Sequence, residues 1–102
     1  AVTTRQRSKA LPGVPTLIES GLADFDVSAW YGVAAPVGTP AAVIGRVEQA
    51  LDKLSRDPDI ARAMESRGAE VGFLGAKPMG AFMAADAIKW KRVAEFAKIT
   101  LG

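Results

Sequence analysis

Residues 27–35 read Val-Ser-Ala-Trp-Tyr-Gly-Val-Ala-Ala, and no other run in the chain constrains the fold as much. In a strand, Val27, Ala29, Tyr31 and Val33 point one way and Ser28, Trp30 and Gly32 the other. The second half is apolar on both faces, the pattern of a strand covered on both sides within a sheet. Such a strand asks for neighbours. Two further stretches have strand character, Ala1–Thr4 and residues 69–74 (Ala-Glu-Val-Gly-Phe-Leu). Three short strands make a poor sheet by themselves. The expectation is that partner strands belong to sequence preceding this chain. The opening Ala1-Val2-Thr3-Thr4 reads as a strand already in progress without an initiator Met, which also suggests a segment of a longer protein.

Helical signals alternate with these stretches. Pro12, Gly13 and Pro15 mark a loop, after which Thr16 is placed to cap a short helix through Leu17, Ile18 and Glu19, ending near Gly21. Thr39-Pro40 reads as an N-cap followed by a first-turn proline. Val43, Ile44, Val47, Leu51 and Leu54 then recur at spacings of three and four. Asp57-Pro58 repeats the start signal for a second short helix, with Ile60 and Met64 inward and Gly68 as its stop. A last helix is expected from about residue 78 to 98, with Met79, Phe82, Met83, Ala87, Trp90, Val93, Ala94 and Ala97 on one stripe. Asp86, Lys89, Lys91, Arg92 and Glu95 are assigned mostly to its solvated side. The order of elements is that of an α/β layer.

Composition excludes several kinds of chemistry. The chain of 102 residues is 49% hydrophobic and 24% charged, ordinary for a folded domain. Its net charge of +2, without a clustered basic face, gives no footprint for nucleic acid. It has no Cys, hence no disulfide and no thiolate metal site. It has no His, hence neither the commonest general base nor Ser-His or Cys-His nucleophile machinery. No apolar run approaches the roughly 20 residues of a membrane-spanning helix.

Several motifs in succession carry a family resemblance. They are Ala1-Val2-Thr3-Thr4, Arg7-Ser8, Leu11-Pro12-Gly13-Val14-Pro15-Thr16, Glu19-Ser20-Gly21-Leu22, Ser28-Ala29-Trp30-Tyr31-Gly32 and Ala35-Pro36-Val37-Gly38-Thr39-Pro40. The helix pair joined by Asp57-Pro58, the run Arg67-Gly68-Ala69-Glu70 and the terminal helix with Lys89-Trp90 continue it. In this order the motifs resemble the C-terminal part of the solute-binding proteins of tripartite tricarboxylate transporters, the Bug family, and the resemblance covers essentially the whole chain. It implies an α/β periplasmic-binding-protein type II fold of about three times this length, with two lobes closing on a small carboxylate or dicarboxylate. It implies a periplasmic protein whose partners are that ligand and the membrane components of the transporter, with no cofactor and no catalysis. Residues 1–102 would be its C-terminal segment, with 1–4 the interdomain crossover strand and 5–102 the remainder of one lobe.

The candidate ligand-binding residues are Thr3, Thr4, Ser28, Trp30 and Tyr31. Thr3 and Thr4 read equally as hinge residues facing the cleft and as ordinary strand residues. Ser28, Trp30 and Tyr31 can line a cleft, where a few polar groups sit among apolar walls. For Trp30 and Tyr31 the competing reading, which has more weight, is packing with the indole and hydroxyl partnered. Asp24 and Asp26 read as a solvated turn. Residues 36–40 lack the pattern and Lys of a phosphate loop. Besides the transport reading, two others stand: a self-associating module that completes its sheet with a second copy, and a small enzyme built on Lys or carboxylate groups.

Overall fold

The computed structural model describes residues 1–100. Helices α1 (Ala41–Ser55), α2 (Pro58–Glu65) and α3 (Ala76–Phe96) make up the regular structure. Among the described residues the expected sheet is not formed. The strand character of Ala1–Thr4 is reduced to one parallel bridge between Val2 and Thr16. Residues 27–35 and 69–74 take neither helix nor strand. Among the described residues, the backbone N–H groups of 28–35 find no backbone partner. A strand exists only where another lies beside it, and neither run has one beside it among the described residues.

The N-terminal residues nevertheless organise one end of the molecule. Val2 N donates to Pro15 O at 2.8 Å, and Val2 O accepts from Leu17 N at 2.9 Å. Thr3 O accepts from Val27 N at 2.9 Å, so residues 2–3 lie between two segments. Thr16, 2% exposed, is the most enclosed residue described. The short helix expected after it is a single turn built on a capping box. Thr16 Oγ1 accepts from Glu19 N at 3.1 Å, and Glu19 Oε2 accepts from Thr16 N at 2.8 Å. Arg7 Nε fastens the same carboxylate at 2.9 Å. Gly21, with φ of 99°, turns the chain so that Leu22 N returns to Leu17 O.

The helix starts follow their local chemistry. Asp57 Oδ1 accepts from Asp59 N at 2.8 Å, with Pro58 in the first turn, as the sequence requires. At α1 the cap moves by one residue. Thr39 Oγ1 donates to Pro36 O at 2.8 Å and Pro40 becomes the N-cap, so the hydroxyl closes the preceding turn instead of capping the helix. Helix α3 begins two residues earlier than the periodicity indicates. Pro78 fits its third position, where no intrahelical N–H is needed. Its N-cap, Gly75, has no side chain, and Glu48 of α1 supplies the missing acceptor, with Oε1 3.0 Å from Ala76 N. The C-terminus closes in a Schellman arrangement. Lys98 has φ of 52°, Lys98 N donates to Glu95 O and Ile99 N to Ala94 O.

These elements do not close over a common core. No apolar side chain among the described residues is fully buried. The accessible surface is 8503 Å², where a compact protein of this mass exposes about 5500 Å². The radius of gyration is 16.6 Å, against about 13 Å for a compact domain of this length. The helices and the unpaired runs instead surround a hollow of about 1560 Å³. Val43, Ile44, Val47, Leu51 and Leu54 of α1, and Ile60 and Met64 of α2, face it as their periodicity requires. On α3, Met79, Phe82 and Met83 line it, whereas Trp90 and Val93 of the same predicted stripe do not.

Candidate functional site

All five candidate residues, Thr3, Thr4, Ser28, Trp30 and Tyr31, line this one hollow. The bond from Val27 N to Thr3 O brings the two chain segments together and sets Thr3 and Thr4 beside Ser28. Thr4 Oγ1 donates to Gln6 O at 2.7 Å and keeps its acceptor capacity. Ser28 and Tyr31 make no side-chain hydrogen bond among the described residues, and Tyr31 is 86% exposed. The segment therefore offers two uncommitted hydroxyls on an otherwise apolar wall.

Trp30 is held differently. Its Nε1 donates to Asp86 Oδ2 at 3.0 Å. Its ring meets Phe82 edge-on, with centroids 5.6 Å apart and planes at 81°. Gly32 passes close by, since a Cβ there would lie 3.2 Å from the Met79 methyl and 3.5 Å from the Trp30 ring. Asp86 also pairs with Lys89, Oδ1 to Nζ at 2.7 Å. Lys89 Nζ in turn donates to Asp26 O at 3.3 Å. The Lys89 and Trp30 hydrogen bonds, in that order, hold the Asp86 carboxyl below its usual range, against the partial desolvation that raises it.

Asp86 and Lys89 were expected on the solvated face, and Asp86 does not belong there. Its side chain is 12% exposed. The signal was present, because Phe82, Asp86 and Trp90 are spaced by four and share one helical face. An acid inside an apolar stripe calls for a donor, and the indole of Trp30 provides it.

Among the described residues no three His, Cys, Asp or Glu side chains are grouped to hold a metal ion. No helix among the described residues is long and apolar enough to cross a membrane. The ionic groups at the hollow are already partnered in part: Glu48 accepts from Ala76 N, and Glu70 Oε1 from Lys9 N at 3.0 Å. Arg7 is engaged by Glu19 and by Pro12 O.

Comparison with known proteins sets this geometry in a family. The model of TctC, the tripartite tricarboxylate transporter family receptor, matches residues 1–99. The chain belongs to that family. It is 43% identical over 68 residues to a UPF0065 protein in the TAR-I ttuE-ttuC' intergenic region of Agrobacterium vitis, a match covering 67% of this chain and 20% of that protein. It is 31% identical over 93 residues to a UPF0065 protein in the tcbD-tcbE intergenic region of a Pseudomonas species, covering 90% of this chain and 28% of the relative. Protein BugT of Bordetella pertussis is 27% identical over 93 residues, covering 91% of this chain and 28% of the relative. This TctC-family chain thus spans between 20% and 28% of the length of these relatives. No solved structure matches it.

Proposed function

We propose that this chain is the C-terminal segment of a solute-binding receptor. In that receptor two α/β lobes of the periplasmic-binding-protein type II kind close on a small carboxylate or dicarboxylate. The receptor works in the periplasm, carries out no chemistry, and presents its ligand to the membrane components of a tripartite transporter. The family match over residues 1–99 carries this reading. The hollow supports it: the inward faces of three helices converge on space that this chain leaves unfilled. In this reading residues 1–4 are the crossover between lobes, and the unpaired runs are strands of a sheet completed by the rest of the receptor. Thr3, Thr4, Ser28, Trp30 and Tyr31 form the rim that this segment contributes to the cleft.

A carboxylate is held by charge-assisted hydrogen bonds, and hydroxyls on an apolar wall add direction to them. The test is calorimetric titration of succinate, glutarate and citrate into the full-length receptor and into this chain alone. The reading predicts saturable binding to the receptor and none to the chain. Tight binding to the chain alone would overturn the placement of the site.

A second reading is favoured by the exposed apolar surface. Val33, Val37 and Phe96 are 72%, 107% and 93% exposed, and exposed apolar side chains can be covered by self-association. Sedimentation of the chain tests it: a concentration-dependent dimer supports association between copies, and a monomer excludes it.

A further inference from the structure

The Asp86–Lys89 pair on α3 reaches the candidate rim at two points. Lys89 Nζ holds the carbonyl of Asp26 at 3.3 Å, and Asp86 Oδ2 accepts from the Trp30 indole at 3.0 Å. The two side chains are joined to each other at 2.7 Å. Ser28 sits midway between Asp26 and Trp30. Its backbone N–H has no backbone partner among the described residues, and its neighbour Val27 is tied to Thr3 O.

We propose that Asp86 and Lys89 are positioning residues for ligand binding: together they bracket residues 26–30 and so aim the Ser28 hydroxyl into the cleft. The proposal rests on the solute-binding reading given above. A single anchor would leave the segment free to pivot. Two anchors four residues apart, drawn to one helix face by a shared ion pair, fix both its place and its direction. The bond from Val27 N to Thr3 O transmits the same constraint to Thr3 and Thr4. Phe82 meets the Trp30 ring edge-on, so the indole is held by packing as well as by its hydrogen bond. Asp86 and Lys89 need not touch the ligand themselves, because preorganised side chains bind better by losing less freedom on association.

The experiment uses the full-length receptor with succinate, glutarate and citrate as probes. Asp86→Ala is expected to weaken the best of these by about ten-fold, the loss expected when one hydrogen bond to a charged group disappears. Lys89→Met, at a partly exposed position, is expected to weaken it in the same direction without unfolding the protein. Asp86→Asn keeps an acceptor for the indole and should retain most of the affinity that Asp86→Ala loses. In a Trp30→Phe background, Asp86→Ala should add less than it does alone. A purely structural role would show no such rescue and no such coupling.

The ligand-free protein supplies an independent readout. The Trp30 indole N–H resonance should shift in Asp86→Ala and keep its place in a distant surface variant such as Arg92→Ala. Wild-type affinity in both Asp86→Ala and Lys89→Met would overturn the proposal. An unmoved indole resonance would show that the bracket is not formed in solution and would overturn it too. Failure of the wild-type receptor to bind any of the three probes would overturn the solute-binding reading, and with it the purpose assigned to the pair. The indole resonance would then still show whether the bracket exists.

Discussion

Trp30 donates its indole N–H to Asp86 at 3.0 Å, across 56 residues of sequence. This bond fastens a segment without secondary structure to the longest helix of the chain. The Phe82 ring lies against the same indole, so the attachment combines a directional bond with aromatic packing.

The packing half is separable from the bond. Phe82→Ala should destabilise the fold by about 1 kcal/mol beyond the loss of buried area, the scale of one aromatic pair. Trp30→Phe should lose less, because the edge-on contact survives while the bond to Asp86 does not. Urea denaturation of the two variants in the full-length protein checks the order.

Acid should release both carboxylate clusters. Asp86 is held below its ordinary value of 3.8 by Lys89 and then Trp30, and Glu19 below its ordinary value of 4.5 by the Arg7 hydrogen bond and then by Thr16 N. A carboxylate with a lowered folded-state value contributes stability that is complete above its unfolded value and fades as pH falls through the folded one. Stability should therefore be flat with respect to these two groups at neutral pH and decline below about pH 4.5, as ordinary carboxylate values imply. Asp86→Asn and Glu19→Gln should each flatten part of that decline, as read by unfolding midpoints against pH.

The start of α3 depends on a side chain from α1. Glu48→Ala leaves Ala76 N without its acceptor and should cost about 1 kcal/mol, the usual scale of a lost cap. Gly75→Ala should act through the same bond, because a Cβ there would collide with the Glu48 carboxylate and push it off Ala76 N. The double variant should cost less than the two single losses added together.

Helix α2 is short and leans on its cap. Asp57→Ala removes the acceptor for Asp59 N and should lower stability by about 1 kcal/mol. Asp57→Ser should restore most of it, since a hydroxyl can accept the same bond. Circular dichroism through the unfolding transition measures both.

Much of the helical structure was legible in the sequence. Asp57-Pro58 and Gly68 bound α2 because caps and stops are local chemistry. The spacing of Val43, Ile44, Val47 and Leu51 places the inner face of α1. The errors at Thr39 and Ala76 have a common cause. Each cap depended on a partner that a helix pattern does not reveal, Pro36 O in one case and Glu48 in the other. Strand character is legible in the composition of residues 27–35 and 69–74, and neither run forms a strand, since strand formation needs a paired neighbour that composition does not reveal. Asp86 is harder to place, because charge alone assigns it to the solvated side, whereas its spacing from Phe82 and Trp90 sets it within an apolar stripe. The tie to Trp30 joins residues 56 apart, which no periodicity detects.

In the proposed receptor the unpaired runs become sheet strands once the rest of the protein is present. Amide hydrogen exchange of residues 32–35 and 71–74, compared between this chain and the full-length receptor, tests it directly. Fast exchange is expected in the chain alone and strong protection in the receptor, because ladder hydrogen bonds must open before exchange. Equally fast exchange in both would contradict it, and would leave these segments as surface loops with no sheet to join.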